Sequence, residues 1–371
     1  MRVLNISMDK NFLEKDIDTR ERLIKYGELV DEYHSLIYTF RGFQIKQLSQ
    51  KVWIYPTNSL SRLFFIVDAI KIGRHIIKKN NINLIIAHDP IYTGTPSLIL
   101  SKLFGIKLLL SIYGTNIFDP MWIKSSFKNR FLYYFGKMVF YGADAIQTDS
   151  QAIVNELARR YNIKVFWKPL VPAYINNFKT TRDIRDDRKI NILFIARLVE
   201  QKNIPFLVDV IEKILTKKTL NEQVAFTIVG YGKMSQYLNE RIKEKHLSEN
   251  VTIVDGCEQN KLIDFYKKAD IFILTSYYEG FPRVFMEAAA IGVPVVTTKV
   301  SGAEELVGNG RGGYVIDHGD LNDFSNKLEL LIKDGELRAT MSNHISEYFW
   351  AHYNSNMTIN RQIEIFDYFR N

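Results

Sequence analysis

Two carboxylates eight positions apart, Glu279 and Glu287, flank a Gly-Phe-Pro turn. A carboxylate is a pure acceptor that can bind two hydroxyls, and this arrangement suits the hydroxyls of a sugar and of a ribose. Gly280 lets the backbone come close to a ligand, and the N–H groups that open the next helix can face an anion. Taken alone, the two glutamates fit a binding site and a solvated helix face equally well.

A pair of cations, Arg197 and Lys202, follows the apolar segment Ile192–Ala196. A guanidinium can bind two oxygens of a diphosphate as a fork, and an ammonium adds a point charge. In isolation such a pair is more often two exposed basic residues. The loop positions of both charged pairs therefore decide between the two interpretations.

Short apolar runs precede both pairs and predict strands buried on both faces of a parallel sheet. The run Asp270–Ser276 places Glu279 in the loop at its carboxyl end. A helix is predicted over Arg283–Ile291, with Pro282 in its first turn and Glu287 about two turns along it. Ligands of open α/β sheets bind outside the carboxyl ends of the strands, so we expect both pairs at one edge.

Strand and helix patterns alternate along all 371 residues, which predicts an α/β protein of two doubly wound Rossmann-like domains facing across a cleft. The predicted boundaries are 1–174 for the first domain, 175–188 for a linker, 189–355 for the second domain, and 356–371 for a helix that packs back on the first. The strands predicted in the first half are Val3–Ser7, Ser35–Thr39, Leu84–Ala87, Leu108–Ile112, Ala145–Thr148 and Lys164–Trp167.

The amino-acid composition excludes several classes of protein. The chain is 46% hydrophobic and 24% charged, as globular proteins are. A single cysteine, Cys257, excludes an internal disulfide framework and fits a reducing compartment. Neither an apolar leader nor a run of eighteen apolar residues is found, so we expect a cytoplasmic protein without a signal peptide or a spanning helix.

Charge is distributed unevenly. Residues 1–175 hold 24 Lys and Arg against 14 Asp and Glu, whereas residues 176–371 hold 25 against 27. The basic half also contains the segment from Trp122 to Tyr141, which is rich in aromatic residues and cations. Such a segment fits a helix lying on an anionic membrane surface at the inner face of the membrane. It fits a core helix with one basic face at least as well.

Glycines mark two further strand ends. Gly230 and Gly232 allow the backbone to approach a ligand, but Ser235 stands where the third glycine of a dinucleotide fingerprint would be. This disfavours an NAD-dependent oxidoreductase. Gly256 and Cys257 end a third strand, where the backbone could edge a base or form a plain turn.

These segments, in this order, resemble the nucleotide-sugar domain of glycosyltransferase family 4, whose members are retaining enzymes with the two-domain GT-B fold. The resemblance covers residues 190–340 well and the first domain only by layout. The matching pieces are ARLVEQKN (196–203), VGYGK (229–233), ADIFILTSYYEGFPRVFMEAAAIGVPVV (269–296) and the GGYV to DHGD stretch (312–320).

The resemblance implies roles for individual residues. Arg197 and Lys202 would bind the donor diphosphate, Glu287 the ribose hydroxyls and Glu279 the donor sugar. Arg197, Lys202 and Glu279 form the implied catalytic set. The implied donor-binding set also includes Gly230, Gly232, Gly256, Cys257, Gly280, Phe281, Pro282, Arg283 and Val284.

The sequence departs from the family pattern at several positions. Ala196 replaces a usual Gly, Cys257 a common Phe, and Tyr113 a His that many members have. A front-face retaining reaction does not need that His, since the leaving diphosphate oxygen can take the acceptor proton. The candidate residues for the acceptor side, in the first domain, are Asp9, His88, Asp89, Tyr113, Thr115 and Asn116. For His88 and Asp89, a packed histidine and a capping aspartate are the plain alternative.

The sequence thus predicts a retaining hexosyltransferase that uses a UDP- or GDP-sugar and a glycan or lipid-linked acceptor, in surface polysaccharide or glycoconjugate synthesis. Contact with an anionic membrane is a further expected partner interaction; nucleic acid, a metal and other cofactors are not expected. Two alternatives stay open. One is a sugar-nucleotide epimerase of the same layout, and the other is a non-catalytic protein that binds sugar nucleotides or nucleic acid.

Overall fold

The computed structural model describes residues 1–9, 12–13, 17–113, 123, 126–182, 189–354 and 356–371. The chain divides into two compact units. The N-terminal unit comprises Met1–Pro172 together with Ser355–Asn371, and the C-terminal unit comprises Ala173–Asn354. Each unit has a mostly parallel sheet with helices on both faces, which confirms the predicted fold class of two doubly wound Rossmann-like domains.

Eight strands form the sheet in the described part of the N-terminal unit. They are β1 (Arg2–Ser7), β2 (Glu32–Ile37), β3 (Lys46–Ser49), β4 (Val52–Pro56), β5 (Leu84–Ala87), β6 (Lys107–Ile112), β7 (Ala145–Thr148) and β8 (Lys164–Trp167). Their order is β3-β4-β2-β1-β5-β6-β7-β8, and β3 alone among them runs antiparallel to its neighbour. In register, Val3 of β1 lies between Tyr33 of β2 and Leu84 of β5.

Helices cover both faces of this sheet. They are α1 (Ile17–Glu28), α2 (Phe65–Asn80), α3 (Gly94–Phe104), α4 (Phe127–Gly142) and α5 (Gln151–Tyr161), joined by the chain's last helix. The alternation along β1 sends Leu4 and Ile6 into one core and Val3 into the other. Each strand of the sheet centre is therefore buried on both faces, as its continuous apolar sequence predicts.

Six parallel strands form the sheet in the described part of the C-terminal unit. They are β9 (Ile190–Ile195), β10 (Val224–Val229), β11 (Val251–Val254), β12 (Ile271–Leu274), β13 (Val295–Thr298) and β14 (Gly313–Ile316). Their order, β11-β10-β9-β12-β13-β14, is that of a Rossmann fold.

The helices of the C-terminal unit begin and end at identifiable residues. They are α6 (Ile204–Leu215), α7 (Lys218–Asn221), α8 (Ser235–Glu244), α9 (Gln259–Lys267), α10 (Arg283–Ile291), α11 (Ala303–Leu306), α12 (Leu321–Lys333) and α13 (Gly335–His352), and α14 (Met357–Arg370) belongs to the N-terminal unit. The Asp320 side chain caps α12 by accepting from the N–H of Asp323 (2.8 Å). Gly292 ends α10 in the left-handed conformation, with φ 79°.

Several predicted elements need correction. Strands β3 and β4 were not predicted, because β3 is a short, exposed, polar edge strand and β4 ends in Pro56, which argues against a strand. Strand β2 begins three residues earlier than predicted. Pro282 lies just before α10 rather than inside its first turn, and Glu287 is its fifth residue, little more than one turn from its start.

The structure describes part of the predicted linker and the predicted last helix. Residues Ala173–Phe178 form a 3-10 helix, and residues 183–188 of the predicted linker lie outside the described residues. In α14, the Thr358 hydroxyl donates to the carbonyl of Pro169 (2.8 Å), and Ile365 and Phe366 join the core beside α1. Across the described residues, none of the helices combines the length and apolar character needed to span a membrane.

Candidate active site

The strand order of the C-terminal sheet reverses between β9 and β12. From β9 the chain moves outward through β10 and β11, and then returns to place β12 on the other side of β9. Open α/β sheets bind ligands at the carboxyl ends of the strands at such a reversal. The loops that leave β9 and β12, residues 196–203 and 275–282, carry Arg197, Lys202 and Glu279 at this position, and Glu287 follows in α10.

Hydrogen bonds tie these two loops together. The N–H of Tyr277 donates to the carbonyl of Gln201 at 2.9 Å. The Gln201 side-chain amide donates to the carbonyl of Tyr278 at 2.8 Å. The Thr275 hydroxyl donates to the carbonyl of Lys202 at 2.8 Å. Every acceptor in these three bonds is a backbone carbonyl. The backbone of the two loops therefore sets the distance between the charged side chains that they carry.

Lys202 and Glu279 form an ion pair across the two loops. Their side chains are only 12% and 10% exposed, and the Ser276 hydroxyl donates to the same carboxylate oxygen at 2.6 Å. The pair holds a cation and an acceptor side by side in a partly buried place, where their attraction is stronger than in bulk water. Chemically, the ammonium can meet a phosphate oxygen and the carboxylate can accept from a sugar hydroxyl.

Arg197 lies exposed at the same edge, and in the part of the chain that the structure describes its guanidinium makes no hydrogen bond or ion pair. Its loop is packed against the loop after β10. A Cβ on Gly230 would lie 1.8 Å from the carbonyl oxygen of Ala196, and one on Gly232 would lie 2.3 Å from that of Leu198. These glycines therefore allow two protein loops to meet, a role different from the predicted approach of the backbone to a ligand.

Glu287 is buried, with 2% of its surface exposed, and three side chains donate to it. The hydroxyl of Tyr174 (2.6 Å) and the amide of Gln259 (2.9 Å) bond to Oε1. The hydroxyl of Tyr266 (2.8 Å) bonds to Oε2. A buried carboxylate needs such donors when no cation is nearby. A ribose could bind Glu287 only by taking the place of one of them.

Sequence analysis missed all three partners of Glu287. They lie 113, 28 and 21 positions away from it along the chain, and no motif marks them. Burial, followed by the neighbouring Glu287 carboxylate, raises the pKa of Tyr266 well above its usual value, so its hydroxyl stays a donor. Only the packing of the 3-10 helix and α9 against α10 brings these donors together.

The Gly-Phe-Pro turn is stabilised by aromatic packing. The ring of Phe281 lies 5.7 Å from that of Tyr353, between centroids, and a Cβ on Gly302 would come within 2.7 Å of the Phe281 ring. The Tyr353 hydroxyl donates to Glu305 Oε1 at 2.8 Å. This packing holds the turn that starts α10.

The other predicted donor-binding residues surround this turn or lie at the next strand end. Gly280 and Val284 are half-buried, Pro282 is buried, and Arg283 is exposed at the first position of α10. N–H groups at a helix start can face an anion, so the exposed Arg283 adds a cation where such an anion would bind.

Gly256 and Cys257 lie at the end of β11 beside an exposed ring. A Cβ on Gly256 would come within 2.8 Å of the Tyr231 ring, and Tyr231 is 69% exposed. Cys257 is exposed, and partial desolvation raises the pKa of its thiol, with Lys261 opposing. Sequence analysis did not single out Tyr231, which offers an aromatic face at this strand end.

In the N-terminal unit, His88 follows β5 and is held by buried polar side chains. Its Nε2 lies 2.6 Å from Asn5 Oδ1, and the Asn5 amide donates to the Ser35 hydroxyl at 2.8 Å. Burial, aided by the positive charges of Lys168 and Arg22, lowers the pKa of His88 to about 3. His88 is therefore neutral at physiological pH and its Nε2 donates to Asn5.

Asp89 acts as a loop cap. Its Oδ1 accepts from the N–H groups of Ile91 (2.8 Å) and Tyr92 (2.5 Å). Its Oδ2 accepts from the N–H (2.9 Å) and the hydroxyl (2.7 Å) of Thr93. With both oxygens committed to the turn before α3, the carboxylate has the capping role that was the plain alternative.

The other acceptor-side candidates are less well defined. The ring of Tyr113 stacks on that of His88 at 6.0 Å, and burial raises the pKa of its hydroxyl. The N–H of Asp9 donates to the hydroxyl of Ser7 at 3.1 Å. Thr115 and Asn116 lie outside the described residues. The structure therefore brings together the rings of His88 and Tyr113.

Within the described ranges, His, Cys, Asp and Glu side chains do not gather in any group of three that could hold a metal ion.

Comparisons with known proteins show which family the C-terminal part of the chain resembles. Residues 177–347 match the family described as Glycosyl transferases group 1. An uncharacterised glycosyltransferase of Methanocaldococcus jannaschii is 26% identical over 285 residues, which are 76% of this chain and 75% of the relative. The N-acetylgalactosamine-N,N'-diacetylbacillosaminyl-diphospho-undecaprenol 4-alpha-N-acetylgalactosaminyltransferase of Campylobacter jejuni is 26% identical over 269 residues, 70% of this chain and 71% of that protein.

Solved structures share the fold over the whole chain. Sucrose-phosphate synthase from Thermosynechococcus elongatus superposes with a TM-score of 0.76 at 18% identity, covering 100% of this chain and 98% of its own. The Anabaena protein HepE, solved in complex with UDP and glucose, gives 0.71 at 17% identity, covering 100% and 99%. Residues 177–347 are thus similar to the group 1 glycosyl transferases, and the chain has the two Rossmann-like domains of the GT-B fold.

Proposed function

We propose that this protein is a retaining glycosyltransferase of family 4 that moves a hexose from a nucleoside-diphosphate sugar to a glycan or lipid-linked acceptor. The product would be a surface polysaccharide or glycoconjugate. The observation that carries the proposal is the Lys202–Glu279 ion pair at the reversal of the C-terminal sheet, with exposed Arg197 beside it. Cations for a diphosphate and a carboxylate for a sugar thus share one edge.

This arrangement gives each charged side chain a separate role in the proposed reaction. Departure of the diphosphate leaves negative charge on its oxygens, and preorganised cations stabilise charge that develops in a transition state. Arg197 can grip two oxygens as a fork, while Lys202 supplies a point charge. Once a phosphate oxygen takes the ammonium, Glu279 is released from its ion pair to accept from a sugar hydroxyl.

Retention follows from attack on the same face. The bond from the anomeric carbon to the diphosphate oxygen breaks as the bond to the acceptor oxygen forms, and the acceptor proton passes to the departing diphosphate. This reaction needs no histidine base, so Tyr113 in place of a histidine is compatible with it. We propose further that Arg197 and Lys202 meet the diphosphate charge without a metal ion, so that EDTA leaves transfer unchanged.

Glu287 would hold the ribose through exchange of partners. One ribose hydroxyl can replace the Tyr174 hydroxyl on Oε1, and the second can donate to the remaining acceptor site of Oε2. Gln259 and Tyr266 would keep the carboxylate oriented while this happens. The affinity for the nucleoside part then reflects a competition between ribose and Tyr174.

The test is a thermal-shift panel of UDP, GDP and their common sugars, followed by transfer assays with whichever donor stabilises the protein. We expect one nucleotide to raise the melting temperature and its sugar to be slowly hydrolysed without an acceptor. Nuclear magnetic resonance of the product should show the anomeric configuration of the donor. Failure of every nucleotide to stabilise the protein would reject the proposal, and an epimer formed without acceptor would replace it with an epimerase.

A further inference from the structure

Helix α4 has apolar side chains on two opposite faces. One face, with Gly136, Val139 and Phe140, is buried in the core of the N-terminal unit. The opposite face is exposed to an unusual degree. Its exposed fractions are Phe127 82%, Phe131 55%, Tyr134 61%, Phe135 42%, Met138 62% and Tyr141 69%. A helix needs only one apolar face to pack on its domain, so the second face is not explained by folding.

The exposed apolar residues form one continuous stripe. At 3.6 residues per turn, their six positions fall within an arc of about 120°. Lys128 lies at one border of this arc, while Arg130 and Lys137 lie at the other. The Lys137 ammonium sits over the Tyr133 ring, 4.9 Å from its centroid. The cations therefore border the apolar stripe on both sides.

The stripe is too large for an ordinary surface patch. With about 150–250 Å² for each aromatic side chain, it exposes on the order of 700 Å², above the roughly 300–600 Å² typical of the largest patch on a monomer. It also has apolar neighbours: α3 packs beside α4 and exposes Ile99 (44%) and Leu103 (59%). A surface of this kind usually has a partner.

The cations that border the stripe indicate which kind of partner it binds. Residues 126–142 contain no Asp or Glu, and the stripe is bordered only by cations. Two copies of the chain that met through α4 would bring like charges together with no carboxylate on either helix to pair them. An anionic bilayer offers what the stripe lacks, an apolar interior for the rings and a layer of negative headgroups for the cations.

We propose that the exposed face of α4 is a docking surface for an anionic lipid bilayer. The aromatic rings and Met138 enter the boundary between headgroups and acyl chains, with α4 parallel to the membrane plane. Lys128, Arg130 and Lys137 stay at the level of the lipid phosphates. The docking surface belongs to the N-terminal unit and does not depend on what the donor site of the C-terminal unit binds.

The experiment is co-flotation of the full chain with vesicles of phosphatidylcholine containing phosphatidylglycerol, at low and high salt. We expect binding that weakens by more than about tenfold when salt rises from 50 mM to 500 mM, because added salt screens the attraction of the headgroups for the cations. The variant Phe127→Ser/Phe131→Ser/Met138→Ser should lose more than about tenfold in vesicle affinity through lost apolar burial. A charge variant, Lys128→Glu/Arg130→Glu/Lys137→Glu, should lose at least as much.

Matched controls separate the docking surface from general properties of the unit. Lys71→Glu/Lys78→Glu/Lys79→Glu makes the same change of net charge on α2 and should keep most of the binding. Leu63→Ser removes an apolar side chain that is 88% exposed outside α4 and should change little. All these positions are on the surface, so circular dichroism and melting temperature should match those of the parent protein.

Three outcomes would overturn the proposal. One is equal binding to vesicles with and without phosphatidylglycerol, and another is equal loss of binding in the α2 control. The third is self-association in the absence of lipid that the Phe127→Ser/Phe131→Ser/Met138→Ser variant abolishes, because this would assign the stripe to a second copy of the chain. Sedimentation velocity at several protein concentrations measures that last possibility.

Discussion

The two sheets wind in a related way. The side chains at the carboxyl ends of their strands, where the strand order reverses, nevertheless differ in kind. In the C-terminal unit the edge carries Arg197 and the Lys202–Glu279 pair, charged and at least partly open to solvent. In the N-terminal unit, Asn5 of β1 and His88 after β5 are hydrogen-bonded and uncharged, and both oxygens of the Asp89 carboxylate are taken up by a turn. The fold supplies the position of a site twice, and the side chains alone decide its chemistry.

The two units also differ in the surroundings of a lysine, Lys168 in the N-terminal unit and Lys202 in the C-terminal unit. Lys168 follows β8 in the N-terminal unit, donates to Gln362 Oε1 at 2.7 Å, and lies over the Tyr26 ring, 5.0 Å from its centroid. Among the described residues it has no carboxylate partner of the kind that Glu279 gives Lys202. Burial, aided by the charge of Arg22, lowers the pKa of Lys168 to about 7. The lysine of the C-terminal unit is thus paired with a carboxylate, whereas burial lowers the pKa of the lysine in the N-terminal unit.

The largest effect should come from removing a cation of the charged edge. Lys202→Met should lower the rate of transfer by about 100- to 1000-fold, since it removes one preorganised charge from the departing diphosphate. Arg197→Ala should likewise slow transfer more than it weakens donor binding. Steady-state assays of nucleotide release measure both. Lys243→Met, an exposed lysine on α8, serves as the control, and a Lys202→Met rate within threefold of the parent would refute the proposed role of the edge.

The next effect concerns the glycines that pack the loop of Arg197. Gly230→Ala should destabilise the C-terminal unit by about 3 kcal/mol or more, because the new Cβ would overlap the carbonyl of Ala196 and the backbone cannot move freely. Urea denaturation measures the loss. Gly319→Ala is the matched control: its φ is also positive, 82°, but no atom lies within 4 Å of the new Cβ.

Gly319→Ala should therefore cost only the strain of its backbone conformation, about 1 kcal/mol. Equal losses for the two variants would mean that loop packing contributes nothing and that Gly230 serves the ligand instead.

A smaller, pH-dependent effect should appear in the N-terminal unit. The pKa of Lys168 is about 7 in the folded chain and 10.5 as its ordinary value. Between these pH values the unfolded chain holds a proton on Lys168 that the folded chain has released, so the free energy of unfolding rises from pH 7 to pH 10.5. The free-energy cost of burying the charged lysine is therefore at its full value below pH 7. Lys168→Met should remove this penalty and stabilise the unit by about 2 kcal/mol at pH 7, after the loss of the Gln362 bond.

Chemical denaturation at pH 7 and pH 10 tests this prediction. The gain from Lys168→Met should shrink toward pH 10, because the proton that the folded chain does not hold is released at a lower free-energy cost at each higher pH. Lys164→Met, an exposed position on β8, should show no such pH dependence. A gain that is constant with pH would show that packing, and not the desolvated charge, makes the difference.

The smallest effect belongs to the competition at Glu287. Tyr174→Phe removes one of three donors to the carboxylate and leaves the ribose without a rival, so UDP or GDP should bind about threefold tighter. Isothermal titration calorimetry with the nucleotide that stabilises the protein measures the change. Tyr237→Phe on α8 should have no effect. Unchanged or weaker binding in Tyr174→Phe would show that Tyr174 is a fixed support of Glu287 and no competitor of the ribose.

Patterns local in sequence predicted much of this molecule. The apolar runs before Arg197 and Glu279 gave two buried parallel strands, and the rule on strand ends placed both residues at one edge. By contrast, β3 escaped prediction because an exposed edge strand needs no apolar pattern, and β4 escaped because its terminal Pro56 argues against a strand. The three donors to Glu287 escaped because a carboxylate's partners come from distant segments that only packing brings near.

The amino-acid sequence by itself determined the fold class, the helix α10 with its preceding turn, and the types of charge available for chemistry, because each depends on residues within a few positions of one another. Tertiary structure alone decided which charges pair. It gave Lys202 a carboxylate and denied one to Lys168, buried Glu287 among hydroxyls, and turned the second apolar face of α4 to solvent. These outcomes depend on burial and on contacts between distant segments, which set the energy of a charge and which a linear pattern does not contain.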